Sequence, residues 1–146
     1  MSLAILINGE QLVEQKLKNL TTDTTALKQA VLAGALMVEK SAKENIAQSE
    51  HSGRVYVNHG VVHQASAPGE SPATDTGTLI SSIQHWASGD GLTVAVGSRL
   101  NYATYLEYGT TKMAERPFLG PALDVNREDI IKRILAALKG METNAS

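Results

Sequence analysis

Residues 105–123 read YLEYGTTKMAERPFLGPAL, and this stretch decides how the second half of the chain folds. It holds two of the four tyrosines, the only phenylalanine and two of the four prolines. Gly109 is expected to end a helix of about two turns that carries the tyrosines. Proline fits only the first turn of a helix, so the next helix is predicted to open at Arg116-Pro117. The stretch predicts a rigid corner between two helices, with Phe118 plugging the join.

Downstream of this corner, Pro121 still lies in the first turn, and the rest of the helix has an apolar stripe that ends at Gly140. The stripe consists of Ile130, Ile131, Ile134, Leu135 and Leu138. The last residues, 141–146, are expected to fray.

Upstream of the corner, Leu92, Val94 and Val96 alternate with smaller or polar residues, which predicts a strand over residues 92–97. After a turn at 89–91, this strand is expected to pair antiparallel with residues 84–87. Residues 78–83 either form one or two helical turns capped by Asp75 or Thr76, or lead directly into that strand.

The first half of the chain is dominated by one long helical pattern. Asp23 is a suitable N-cap, and the helix is predicted to run to about residue 47. Its apolar face consists of Leu27, Val31, Gly34, Ala35, Val38, Ala42 and Ile46. A glycine in mid-helix costs about 1 kcal/mol relative to alanine, which is tolerable if another backbone approaches closely at Gly34.

Three shorter segments complete the assignment. Residues 3–7 form an apolar run that indicates a short strand or a strip that docks on a neighbour. Residues 10–20 have helical spacing and predict a short amphipathic helix. Val55 and Val57, followed by a turn at 58–60 and by Val61 and Val62, indicate a hairpin.

These elements predict an α+β fold, in which a small antiparallel sheet of about four strands packs against a long N-terminal helix and a C-terminal helix. We expect residues 1–146 to form a single domain, because this length suits one core. Residues 66–76 read SAPGESPATDT and contain no apolar residue larger than alanine. They predict a flexible loop that could reach a neighbouring subunit, and residues 1–3 and 141–146 are expected to be frayed ends.

Composition restricts the function classes. The net charge is −2 and neither half is basic, which argues against direct nucleic-acid recognition. The chain has no cysteine, so disulfides, thiolate metal sites and thiol catalysis are excluded. No stretch is long and apolar enough to predict a membrane span.

Three patterns are weighed as chemistry. Asp75-Thr76-Gly77 is the tripeptide of aspartic proteases, but one copy would need a dimer to supply two carboxylates, and no apolar strand precedes it. A capping aspartate followed by a turn glycine is the strongly favoured interpretation. His59 and His63 are four residues apart but separated by a turn, so solvent-facing strand histidines are favoured over a metal site.

The third pattern is Glu107 with Arg116, for which no nucleophile or oxyanion donor can be identified nearby. A structural ion pair that pins the corner to the tyrosine helix is the preferred interpretation. No metal, cofactor or catalytic residue is therefore assigned. An aspartic-type protease and a small binding module stay as alternatives to a structural role.

Two blocks of the sequence carry a resemblance to a known family. HQASAPGESPATDTGTL spans residues 63–79, and VGSRLNYATYLEYGTTKMAERPFLGPAL spans residues 96–123. Together they resemble the tail-component family of lambdoid phages, in which an N-terminal helical region, a Pro/Gly loop and a segment close to YLEYGTxKMxxRPFLxPAL occur in this order.

The resemblance implies an α+β structural protein of the phage or prophage neck that joins head to tail. It implies no enzymatic activity. It implies a homo-oligomeric ring on the virion, contacts with other neck and tail proteins, and a subunit that can be monomeric in isolation. Such a protein is made in the bacterial host cytoplasm and resides in the virion.

For such an assembly, interface anchors are typically aromatic or arginine side chains, and loops can wrap a neighbour. The expected partner-binding residues are Pro68, Gly69, Pro72, Tyr105, Tyr108, Lys112 and Arg116. The expected structural corner consists of Glu107, Gly109, Pro117 and Phe118.

Overall fold

A computed structural model describes residues 3–8, 24–48, 50–73 and 77–144 of the chain. The helices are α1 (Thr25–Gln48), α2 (Thr78–Ser82), α3 (Asn101–Tyr108) and α4 (Leu119–Asn144). The strands are β1 (Leu3–Asn8), β2 (Val55–Asn58), β3 (Val61–Gln64), β4 (Ile83–Ala87) and β5 (Thr93–Ser98). The predicted α+β class is confirmed. The predicted helix at 10–20 and the cap at Asp23 lie outside the described residues.

The long helix α1 is confirmed, and its apolar periodicity identifies the face that packs. All seven predicted positions are buried, from Leu27 to Ile46. This face lies against β4 and β5 on one side and against α4 on the other. The 3.6-residue period therefore correctly places α1 at the centre of the core.

The larger sheet has three antiparallel strands in the order β1-β5-β4. The predicted pairing of β5 with β4 is confirmed, with His85 opposite Val96. The N-terminal strip forms β1 on the other side of β5, with Leu3 opposite Ser98. Gly97 permits this pairing, because a Cβ at that position would lie 1.9 Å from the carbonyl oxygen of Leu3.

The expectation of one sheet of about four strands is wrong in its detail. The described residues contain five strands, and β2 and β3 form a separate two-stranded sheet. The hairpin turns at His59 and Gly60, which have φ values of 50° and 80°. Two consecutive positive φ values are typical of a tight hairpin turn whose twist matches the strands.

Helices α1 and α4 pack closely along one another. A Cβ at Gly34 would lie 3.0 Å from Cγ2 of Ile130, so the missing side chain admits that isoleucine. Asn126 donates from Nδ2 to Oγ of Ser41 at 2.8 Å, which satisfies one polar pair at the helix contact. The predicted close approach at Gly34 is thus a side chain of α4 and not a second backbone.

Two predicted helix boundaries change. Helix α4 begins at Leu119, so Pro117 precedes it, while Pro121 lies in its first turn as expected. The helix continues to Asn144, past Gly140, the residue at which the sequence predicts its end. No other element occupies the space beside Gly140 within 4 Å in the described structure. Helix α2 has Gly77 at its N-cap and passes directly into β4, so both alternatives for residues 78–87 hold in part.

Candidate assembly surface

The corner between α3 and α4 is held by one buried carboxylate. Glu107 lies in the last turn of α3 and is 7% exposed. Its Oε2 accepts hydrogen bonds from the backbone N–H groups of Phe118 at 2.8 Å and Leu119 at 3.0 Å, and its Oε1 accepts one from Gly120 at 2.7 Å. These are N–H groups that the first turn of α4 cannot satisfy itself, and a negative charge is favourable at a helix N-terminus.

The expected ion pair between Glu107 and Arg116 is not among the ion pairs of the described residues. Arg116 donates instead from Nε and Nη2 to the carbonyl oxygen of Ser66, at 3.3 and 3.2 Å. Its backbone N–H binds the carbonyl oxygen of Leu106 at 2.6 Å. Glu107 contacts the corner through the backbone of α4 and not through Arg116.

The turn between the two helices requires a glycine at its first position. Gly109 has φ 71°, and a Cβ there would lie 2.8 Å from the carbonyl oxygen of Met113. Thr110 follows it and donates its N–H to that same oxygen at 2.7 Å. The Oγ1 of Thr110 accepts from the N–H groups of Lys112 and Met113. The TTKM sequence therefore forms a self-bonded turn.

Residues 66–73 of the predicted flexible loop at 66–76 pack on this corner in the subunit. Gly69 donates its N–H to the carbonyl oxygen of Glu115 at 2.9 Å. Ser71 donates from Oγ to the carbonyl oxygen of Pro117 at 3.3 Å. Pro72 is fully buried. Residues 74–76 lie outside the described residues.

Glu70 closes the base of the loop. Its carboxylate accepts hydrogen bonds from Oγ of Ser52, from the N–H of Ser52 at 3.0 Å and from the N–H of Ala67 at 2.8 Å. The Ser52 hydroxyl and these two N–H groups lower the pKa of Glu70 from 4.5 to about 2. The loop is thus hydrogen-bonded to the segment that precedes the hairpin as well as to the corner.

The expected partner-binding residues divide into two sets. Pro68, Gly69, Tyr105, Tyr108 and Lys112 are exposed and stay available. Pro72 is buried within the subunit, and its assignment to partner binding stays a prediction. Arg116 is half-buried and its guanidinium is engaged with the carbonyl oxygen of Ser66, so it braces the loop.

The exposed tyrosines form one surface on α3. Tyr102, Tyr105 and Tyr108 are three residues apart, so they lie on the side of α3 opposite the buried Ala103 and Glu107. We call these three residues the tyrosine surface. Tyr102 was missed as a candidate, although the three-residue spacing already places it with the other two. Exposed tyrosines combine large apolar area with a hydroxyl, which suits protein contacts.

The hairpin carries a second exposed apolar surface that the sequence analysis did not identify. Val55, Val57 and Val62 share one face, since Val57 lies opposite Val62 and Val55 lies two residues from Val57. They are 57%, 67% and 69% exposed, and we call them the valine face. The opposite face carries Tyr56 stacked on His63, with ring centroids 5.6 Å apart.

The histidine and Asp75-Thr76-Gly77 patterns do not form a recognisable site in the described residues. His63 stacks on Tyr56, and Nδ1 of His85 lies 2.6 Å from Oε2 of Glu39. Within residues 3–8, 24–48, 50–73 and 77–144, no group of histidine and acidic side chains has the geometry to hold a metal ion. Asp75 and Thr76 of the protease-like tripeptide lie outside those ranges. No helix in the described part of the chain is long and apolar enough to cross a membrane.

Comparison with known protein families identifies a match to this chain. The profile of the family described as "Bacteriophage HK97-gp10, putative tail-component" matches residues 13–109. This range covers more than half of the chain, including α1, the hairpin, the docked loop, the three-stranded sheet except β1, and α3 up to Gly109. No curated protein and no solved structure matched in the corresponding searches. The chain belongs to the HK97-gp10 tail-component family of bacteriophages, as its sequence motifs had indicated.

Proposed function

We propose that this protein is a structural subunit of the phage neck that joins the head to the tail, and that it works as one member of a homo-oligomeric ring without catalysing a reaction. Membership of a phage tail-component family supports a structural role in the virion. The finer assignment to the neck follows the family resemblance of residues 63–79 and 96–123, and the surfaces described above support a docking role. The observation that carries it is a braced corner that holds exposed aromatic side chains in fixed positions.

The braced corner supports a docking role through preorganisation. Glu107 fixes the direction of α4 relative to α3, and Arg116 and Glu70 fix the loop beside them. Tyr105 and Tyr108 therefore lie on a short helix that is tied down at its C-terminal end. A surface that is ordered before binding loses less conformational entropy when a partner docks.

A ring requires two different surfaces on each subunit, because one heterologous contact repeats until it closes. The valine face is one exposed surface available for that contact, and the tyrosine surface is a further exposed surface. One of them is aromatic and lies on a helix, and the other is aliphatic and lies on a hairpin. We assign the tyrosine surface, with Lys112 and the Pro68-Gly69 tip, to contacts with other neck and tail proteins.

The test is removal of the protein from the phage that encodes it. Particles made without the chain are expected to accumulate as separate full heads and finished tails when viewed by electron microscopy, and the wild-type chain supplied from a plasmid should restore joined particles. Joined, infectious particles in its absence would contradict the assignment to the neck. Tails of abnormal length, or heads without DNA, would place the protein at a different step.

A further inference from the structure

The exposed strand edges of this protein lack the features that normally prevent edge pairing. In the described sheets, β4 has β5 on one side only, and β2 and β3 pair only with each other. The three strands read IQHWA, VYVN and VVHQ, without Lys, Arg, Asp, Glu or Pro. Soluble proteins usually place charges or proline on such edges to block association. These edges are therefore open to a further strand.

The hairpin β2-β3 is the natural candidate for that strand. A two-stranded hairpin is at best marginally stable when it stands alone in water. This one leaves both faces exposed, and its valine face is the most exposed aliphatic group on a strand in the described residues. Docking of the valine face on an apolar surface would remove three aliphatic side chains from water.

Two exposed leucines flank the edge of β4, and Leu36 shares its surface with the charged side chains of Glu39, Lys40, Lys43 and Glu44. Leu32 and Leu36 are exposed on α1, on the same side of the helix as Glu39. Glu39 in turn contacts His85 of β4, with Oε2 and Nδ1 2.6 Å apart. This side of α1 therefore lies along β4, so Leu32 and Leu36 stand beside the strand edge. A strand added to β4 would place one of its faces against these two leucines.

We infer that the β2-β3 hairpin of one subunit adds to the free edge of β4 in the next copy of the chain, with its valine face on Leu32 and Leu36. This inference rests on the proposed function and names the surfaces that meet in the ring. The occupant is a second copy because one chain carries both halves, the uncharged hairpin and the unpaired edge of β4 beside two exposed leucines. The contact is heterologous, so each subunit gives a hairpin on one side and receives one on the other.

Designed disulfides test the contact, since the natural chain has no cysteine. The variants Leu36→Cys and Val62→Cys are produced together as separate chains, and particles assembled from the mixture are oxidised and analysed on denaturing gels. A covalent dimer that disappears on reduction is expected. Either variant alone should give no dimer, because like positions do not meet in a heterologous contact.

Ile131→Cys is the matched control for Leu36→Cys. Ile131 is 43% exposed and Leu36 is 45% exposed, and both are aliphatic residues on a long helix that packs on the core. The mixture of Ile131→Cys and Val62→Cys should give no covalent dimer. Incorporated chains without the Leu36–Val62 dimer, or with an equally abundant Ile131–Val62 dimer, would overturn the inference while the proposed function stands. Particles that contain no copy of the chain would contradict both.

A second variant tests the same contact without cross-linking. Val62→Lys should fold normally, because Val62 is exposed in the subunit, but it would bury a charge against the leucines. We expect at least about tenfold fewer copies per particle than for wild type, a loss that corresponds to one unfavourable buried group. Val125→Lys, which changes a more exposed valine on α4, should be incorporated as wild type. Normal incorporation of Val62→Lys would also overturn the inference.

Discussion

The carboxylate of Glu107 lies 2.8 Å from the backbone nitrogen of Phe118, and through this contact the end of α3 caps the start of α4. Helix caps usually come from the residue just before the helix, whereas this one comes from eleven residues earlier in the chain. The cap therefore joins α3 to α4 and also satisfies N–H groups in the first turn of α4. The tyrosine surface, the TTKM turn, the docked loop and Arg116 all lie around this corner.

Glu107→Gln should lower the free energy of unfolding by about 1.5–3 kcal/mol, the typical contribution of hydrogen bonds to a charged group. An amide offers one acceptor oxygen, and its NH₂ group would face a backbone N–H. The measurement is thermal or urea unfolding at neutral pH. Glu115→Gln is the control, since Glu115 is an exposed glutamate in the same corner, and it should change stability by less than about 0.5 kcal/mol. Equal stabilities for the two variants would mean that the buried carboxylate does not hold the corner.

Gly34→Ala and Gly140→Ala make the same chemical change in two long helices, with opposite expected results. A Cβ at Gly140 meets no described atom within 4 Å, so alanine should stabilise α4 by about 0.5–1 kcal/mol. A Cβ at Gly34 would lie 3.0 Å from Ile130, which is buried and cannot move away freely, so the variant should be destabilised by about 1 kcal/mol. Urea unfolding of both proteins checks the difference. A Gly34→Ala protein as stable as Gly140→Ala would show that the contact between α1 and α4 can relax.

Glu70 predicts a pH dependence of loop docking. Its pKa is lowered from 4.5 to about 2 when the loop is folded, because Ser52 and the N–H of Ala67 bind the charged form. The stabilisation is therefore fully present above about pH 4.5 and is lost as the pH falls through about 2, below which the group is protonated in both states. The difference in melting temperature between wild type and Glu70→Gln should shrink over this interval. A difference that stays constant from pH 7 to pH 2 would contradict the assignment.

The tyrosine surface predicts an effect on assembly that is separate from folding. The double variant Tyr105→Ser, Tyr108→Ser should melt close to wild type, because both rings are exposed. It should nevertheless fail to restore joined heads and tails in phage that lack the natural chain, since aromatic anchors typically dominate an interface. Val125→Ser removes an exposed apolar side chain from α4 and should restore them fully. Full restoration by the tyrosine variant would contradict the assignment of α3 to the docking surface.

The sequence correctly predicts the elements that depend on residues close together in the chain. The seven buried residues of α1 follow from the helical period alone, and the turn at Gly109 follows from glycine's access to positive φ. The contacts that build the surface are not local. Arg116 binds a carbonyl oxygen at Ser66, fifty positions away, and no spacing rule connects them. The predicted ion pair of Glu107 was wrong because the sequence shows only that Arg116 is a nearby opposite charge. The backbone N–H groups that Glu107 binds become available only when α4 has formed beside it.

The valine face was overlooked for a different reason. The adjacent Val61 and Val62 place aliphatic side chains on both faces of β3, and a strand with both faces apolar normally suggests a buried strand. Here both faces are exposed. The sequence did contain one indication of this surface. The hairpin strands have no charged residues, which is typical of a strand edge that pairs with another chain.

The pairing of β1 with β5 also affects how the chain is made. The pairing of Leu3 with Ser98 is delayed during synthesis, because β5 leaves the ribosome only after some ninety further residues have been added. At a typical elongation speed this delay is roughly 5–20 seconds. Throughout that interval the apolar LAILIN segment is a nascent-chain sequence that needs shielding, and the sheet can close only late in synthesis.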